Sequence, residues 1–220
     1  MAAVIKRFGS VVGPLVACGL LVAACDSGSG DKAPAASGSA PASATAEQPL
    51  PGAAAGPDVA KLQERWWTWA AGQPRATNPV ADTTGARCAT GQPGDVWFVA
   101  GTFGGEVTRS CTVPAGRPIA GPLLNMHTDD PAQCQEFVAA ADGEVVLDGK
   151  PADVKKLGPE TVTLQGVAGN PVTGDAAPVT EQACGLWFSL APLSPGAHKL
   201  TISGVTGSFK LNVTYNLTVG

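Results

Sequence analysis

The run Phe209-Lys210-Leu211-Asn212-Val213-Thr214-Tyr215-Asn216-Leu217-Thr218-Val219 alternates apolar and polar residues without a break. Successive side chains of an extended chain point to opposite faces, so the odd-numbered residues form one apolar face and the even-numbered ones a polar face. A chain carrying such a strand must build a sheet with one dry side and one wet side. Composition points the same way. Gly (28) and Pro (19) are frequent in the 220 residues, which excludes a coiled coil and argues for many short elements joined by turns.

Other strands are legible from their turns. Residues 96–102 and 106–113 flank Gly104-Gly105, a hairpin signal. Residues 144–148 run into Asp148-Gly149, and Pro195-Gly196 turns the chain into 198–203. Segments 160–165 and 185–191 are also strand-like. The expected fold is mainly β: an Ig-like or jelly-roll-type β-sandwich with one or two short outer helices. The first helix is predicted over 59–71, with Asp58 as N-cap, Val59, Leu62, Trp66 and Trp69 on one face, and Gly72 as the stop. The second starts at Asp130-Pro131-Ala132-Gln133, with Pro at the first helical position and Gln placed for a capping box. Its apolar face is Cys134, Phe137, Val138 and Ala141.

Two adjacent aromatic pairs sharpen the architecture. Trp97 and Phe98 point to opposite faces of one strand, and Trp187 and Phe188 do the same on another. Both faces of those strands must therefore be covered. One face meets the opposing sheet; the tryptophan-bearing helix is expected to cover the other.

The first residues read as an address. Lys6 and Arg7 precede the uncharged stretch 8–24, which ends in Leu21-Val22-Ala23-Ala24-Cys25. Small residues before a cysteine look like a bacterial lipobox, with residues 1–24 removed and Cys25 carrying fatty acyl chains. Two or three chains hold a soluble domain at a bilayer, because each buried CH2 contributes about 0.8 kcal/mol while one chain binds only marginally. Residues 26–57 contain no aromatic residue and are rich in Ala, Ser, Gly and Pro, so 25–57 is expected to be a lipidated cysteine and a disordered tether. Its mean reach is roughly 30 Å at about 5–6 Å × √n. Residues 58–220 then form a single domain. Losing Lys6 and Arg7 with the leader lowers the net charge from −4 to −6. An acidic domain argues against nucleic acid as a partner. It also leaves attachment to a membrane, and thus an extracytoplasmic location, to the lipid on Cys25.

Four cysteines remain beyond Cys25: Cys88, Cys111, Cys134 and Cys184. An even number in an exported domain predicts two disulfides. Of three pairings, Cys88–Cys111 staples the loop before 96–102 to its expected hairpin partner, and Cys134–Cys184 ties the second helix to the strand near 186. No close C-x2-C pair supports a metal site, and no cofactor motif is present.

Candidate chemistry is sparse. His127 lies in Asn125-Met126-His127-Thr128-Asp129-Asp130, expected to be a loop before a helix, where Asp129 makes it a candidate acid–base pair. His198 sits at a turn entering a strand, where packing is the expected role. Asp95, Glu106, Asp129, Asp142 and Asp148 are the acids from which a paired-carboxylate site would be drawn. Trp67 lies off the Leu62/Trp66/Trp69 face and is the candidate exposed binding residue.

The motifs Trp66-Trp67-Thr68-Trp69-Ala70, Val96-Trp97-Phe98-Val99-Ala100-Gly101, Arg109-Ser110-Cys111-Thr112-Val113-Pro114, Leu193-Ser194-Pro195-Gly196-Ala197-His198 and Val213-Thr214-Tyr215-Asn216-Leu217-Thr218-Val219 occur in this order. In this the chain resembles a group of uncharacterised secreted bacterial proteins and lipoproteins. The resemblance covers nearly all of 62–220, is weaker over 115–183, and implies export without carrying over any site residue. The expected function is a lipid-anchored, non-catalytic envelope module that binds a glycan or a protein. The alternatives are a hydrolase using His127 and neighbouring acids, and a structural envelope component.

Overall fold

A computed structural model describes residues 56–220. The expected leader 1–24, Cys25 and nearly all of the expected tether lie outside the described residues. The chain enters through a 3-10 turn, Val59–Leu62, started by Asp58, whose carboxylate accepts the Ala60 N–H at 3.2 Å. Helix α1 follows, Gln63–Ala71, and stops at Gly72 as expected. Among the described residues, nine strands make two sheets. The first contains β1 (Trp97–Phe98), β3 (Ile119–Thr128), β7 (Val179–Leu190) and β6 (Lys155–Leu164), in the order β1-β3-β7-β6. The second contains β2 (Gly105–Val113), β9 (Phe209–Val219), β8 (Gly196–Thr206), β4 (Asp142–Leu147) and β5 (Lys150–Ala152), in the order β2-β9-β8-β4-β5. Helix α2, Pro131–Ala140, starts at Asp130, whose carboxylate accepts the Ala132 N–H at 2.9 Å, with Pro131 in the first turn. No helix among the described residues is long and apolar enough to cross a membrane.

Two apolar layers result, as the adjacent aromatic pairs require. Trp97 and Phe188 lie between the sheets, with Val113, Leu200, Ile202, Val213 and Leu217. Phe98 and Trp187 point the other way, under α1, with Trp66, Trp67, Trp69 and Val162. The β9 alternation is realised: Leu211, Val213, Tyr215, Leu217 and Val219 are buried, and Lys210, Asn212, Asn216 and Thr218 are exposed.

The expected hairpin of 96–102 with 106–113 does not form. β1 pairs in parallel with β3, and β2 pairs in parallel with β9, so the two segments join different sheets. The physical reason lies in their faces. β1 is buried on both sides, so it must lie in the sheet that α1 covers. β2 has a polar side, with Glu106, Thr108, Ser110 and Thr112 exposed, and must keep that side in water.

A second correction concerns Asn125–Asp130, expected to be a loop before the second helix; its first four residues belong to the strand 119–128. That strand is β3, a central strand buried along nearly its whole length. Strands covered on both faces lose the alternation that signals them. Pro122 hid it further, since proline donates no ladder bond and is found at irregularities. Here the β3–β7 register shifts between Pro122 and Leu124.

Both expected disulfides are present, Cys88–Cys111 and Cys134–Cys184. The pairing is right, although Cys88 ties its loop to the edge of the second sheet rather than to a hairpin partner. Beside it, Ser110 N–H donates to Thr84 O at 3.0 Å, and Gly85, at φ +96°, lies where a Cβ would meet the Ser110 backbone. The loop thus covers part of an edge strand that would otherwise invite association. Disulfides of this kind place the domain in an oxidising, extracytoplasmic setting. Replacing Cys88 and Cys111 together with alanine should lower the unfolding free energy by about 3 kcal/mol, the chain-entropy value for a loop of this length. Urea unfolding of the double variant checks it.

Arg109, next to this disulfide, is only 1% exposed. Its five N–H groups donate to the carbonyls of Asp82, Ala100, Val80 and Gly101 and to the Tyr215 hydroxyl, at 2.6–3.1 Å. None of the ion pairs among the described residues involves it.

Candidate functional site

His127 is not in a loop. It stands on the β3 face that looks toward α1, with its side chain 7% exposed. Its Nδ1 lies 2.5 Å from a carboxylate oxygen of Glu181 on β7, and the Trp67 ring meets it edge-on, centroids 4.8 Å apart. Asp129, its expected partner, is exposed and does not reach it; Asp130 is engaged as the α2 cap, and Glu136 is exposed on α2. The His127/Asp129 pair is therefore not assembled. Glu181 was missed because it is distant in sequence and becomes a neighbour only through the β3–β7 pairing.

Trp67, expected to be exposed, is 3% exposed. The error came from treating α1 as covered along one stripe. The helix has a second neighbour, the 165–172 loop, where Val167 N–H donates to Ala71 O at 3.0 Å and Gln165 N–H to the Thr68 hydroxyl at 3.4 Å. The cavity against Trp67 and Asn125 measures about 30 Å3. That is about one water's share of liquid volume, so it does not admit a substrate.

His198 makes a more suggestive array. Its Nδ1 lies 2.7 Å from an Asp148 carboxylate oxygen, and its Nε2 lies 3.4 Å from the Ser194 hydroxyl. The order acid, imidazole, hydroxyl is that of a nucleophilic triad. However, Nε2 also lies 2.9 Å from the Ser194 carbonyl oxygen, so both ring nitrogens face acceptors and both must donate. The Asp148 carboxylate, first, and the Ser194 carbonyl, second, hold the His198 pKa above its usual 6.5. His198 and the Lys199 N–H in turn hold Asp148 below its usual 3.8. With its two N–H groups directed at Asp148 and the Ser194 carbonyl, the ring offers Ser194 no lone pair. The array is a latch between the turn before β8 and the β4–β5 turn.

The sign of its pH dependence follows. The raised His198 pKa contributes stability below pH about 6.5 that is lost as pH rises through the folded value. The lowered Asp148 pKa contributes above pH about 4 and is lost as pH falls through its folded value. The latch is therefore strongest between these limits. Its worth should stay under about 1 kcal/mol, since it lies at the surface. Unfolding free energy followed from pH 6 to 9 should fall in the wild type, and His198→Gln should flatten that fall.

The remaining acids divide between an ion pair and a cleft that brings two of them together. Asp95 pairs with Arg65 at 2.6 Å. Glu106 and Asp142 line one shallow cleft with Glu144. That cleft lies on the outer face of the second sheet, of which the sequence shows only the β9 strip.

The face is built by register. Thr108 of β2 stands beside Thr214 of β9, and Thr214 beside Thr201 of β8. To one side the next row is Glu106, Asn212, Ser203 and Glu144. To the other it is Ser110, Asn216 and Lys199, followed by Thr112, Thr218 and Ala197. The acidic cleft lies against the first flanking row, and a second cleft, with His198 and Lys199, lies against the other two. Among the described residues nothing covers this face, whereas α1 covers the corresponding face of the first sheet.

Together these features define a class: a disulfide-braced, two-sheet β-sandwich with a helix on one outer face and a bare polar lattice on the other. No protein-family model matches the chain, and no curated protein or solved structure matches it either.

Proposed function

We propose that this chain is a lipid-anchored extracytoplasmic binding module that works without catalysis. The observation that carries the proposal is the contrast between the two outer faces. Most polar groups that could do acid–base work are buried or spent: His127 on Glu181, His198 on Asp148 and the Ser194 carbonyl, and Asp130 on a helix end. The bare lattice of the second sheet is free to meet a partner. The anchor rests on the lipobox-like Leu21–Cys25 and is consistent with the two disulfides.

Two measurements test this. Alkyne-palmitate labelling should mark the wild-type chain in its bacterial host, and Cys25→Ser should abolish the label and release the protein from membranes. Cytosolic recovery of the unprocessed chain with reduced thiols would overturn the placement. Soluble Cys25→Ser protein should bind envelope material saturably and leave it intact; release of cleaved fragments would favour the hydrolase.

A further inference from the structure

The outer face of the five-stranded sheet has a chemistry that selects among partners. Strand β9, between β2 and β8, presents Asn212, Thr214, Asn216 and Thr218, with no charge and no aromatic ring among them. The Thr108–Thr214–Thr201 row crosses three strands in register. Neighbouring strands lie about 4.8 Å apart and same-face residues about 6.7 Å apart, which makes a regular grid. Of its polar side chains, Ser203 reaches only the Glu144 carbonyl, at 3.5 Å. Those of Thr108, Thr201, Asn212, Thr214 and Asn216 have no partner among the described residues. Each of these groups both donates and accepts.

We infer that this face binds a neutral, hydroxyl-rich glycan chain laid along the threonine row between the two flanking clefts. The inference rests on the binding-module proposal and names its partner. Three observations select that occupant. A grid of groups that both donate and accept matches sugar hydroxyls, which do the same. Protein interfaces are enriched in aromatic residues, Met and Arg and depleted in Ser, and this face has the opposite composition. The charges stand at the margins, and in the cleft beside Asn212 Glu106, Asp142 and Glu144 outnumber Lys210, so a polyanion is repelled there while a neutral polymer crosses the uncharged middle.

The face also lies on the far side of the sandwich from α1, next to which the chain enters. A tethered domain can therefore present the grid away from its attachment. Without ring stacking, each glycan contact is weak, since a single hydrogen bond contributes only about 0.5–1.5 kcal/mol net. Many anchored copies on one surface convert weak sites into firm attachment.

The test titrates the full chain carrying Cys25→Ser, 15N-labelled, with laminarin, mannan and chitohexaose as neutral probes and with polyglutamate as a polyanion. At least one neutral probe should shift the amides of Thr108, Thr201 and Thr214, and polyglutamate should shift none. Thr214→Lys and, on the edge strand, Thr108→Lys should each weaken that binding at least tenfold while keeping the wild-type melting temperature. Absence of binding to all three neutral probes overturns the inference, as does binding that both variants leave unchanged. If the same variants instead abolish retention of an envelope protein, the glycan is wrong and the binding module stands. If neither glycan nor envelope material binds, both fail.

Discussion

Replacing Arg109 with leucine should lower the unfolding free energy by about 3–5 kcal/mol, comparable to removing one partner of a buried ion pair. Two effects oppose each other. Leucine relieves the cost of holding a buried guanidinium without a carboxylate. It also strips the donors from the carbonyls of Asp82, Val80 and Gly101, while Ala100 O keeps its bond from the Tyr215 hydroxyl at 2.7 Å. Each orphaned buried carbonyl costs about 1–3 kcal/mol, and those of Val80 and Gly101, together with the part-buried Asp82 carbonyl, outweigh the relief. The guanidinium is the fastener that holds the 80–82 and 100–101 segments against β2 and β9. Lysine keeps the charge but has three donors and no planar fork, so Arg109→Lys should recover less than half of the loss. Urea unfolding of both variants measures this; wild-type stability in Arg109→Lys would show that fork geometry is irrelevant.

Trp66→Ala should cost a similar amount, about 3–5 kcal/mol, the range for deleting a large buried aromatic side chain. Trp66 is 2% exposed and sits at the centre of an edge-to-face cluster, 5.2 Å from Trp67, 5.9 Å from Trp69 and 5.8 Å from Trp187 between ring centroids. Its indole N–H also donates to Val99 O at 2.9 Å, which ties α1 to the segment after β1. The variant loses packing and that bond together. Hydrogen exchange should show amides of α1 and β6 losing protection before those of β8 and β9, because the layer beneath α1 is separate from the layer between the sheets. Uniform loss of protection would show that the two layers unfold as one.

Much of the architecture was legible wherever one face of an element is wet. The 209–219 alternation, the Asp148-Gly149 turn, the Asp130-Pro131 helix start and the two disulfides are local or combinatorial signals. Trp97-Phe98 and Trp187-Phe188 went further: each pair demanded covers on both sides, and α1 supplies one of them. The signal vanished where both faces are dry, as in β3, and where the partner is remote. Gly105 pairs with Leu211, and His127 meets Glu181, through contacts that no short window contains.

The candidate surface divides in the same way. Alternation along β9 showed that Asn212, Thr214, Asn216 and Thr218 share a wet face. Nothing local showed that Thr108 and Thr201 would complete their rows, because register between strands is set by burying the opposite, apolar face across the whole sheet. The amino-acid order thus determined which side of each amphipathic strand is wet, where the chain turns and which cysteines join. Only tertiary packing decided which sheet each strand entered, that His127 and Trp67 would be sealed under a helix, and that a guanidinium would be held by four carbonyls and a hydroxyl. Side-chain alternation is written along the chain, whereas burial is a property of what arrives from elsewhere to cover it.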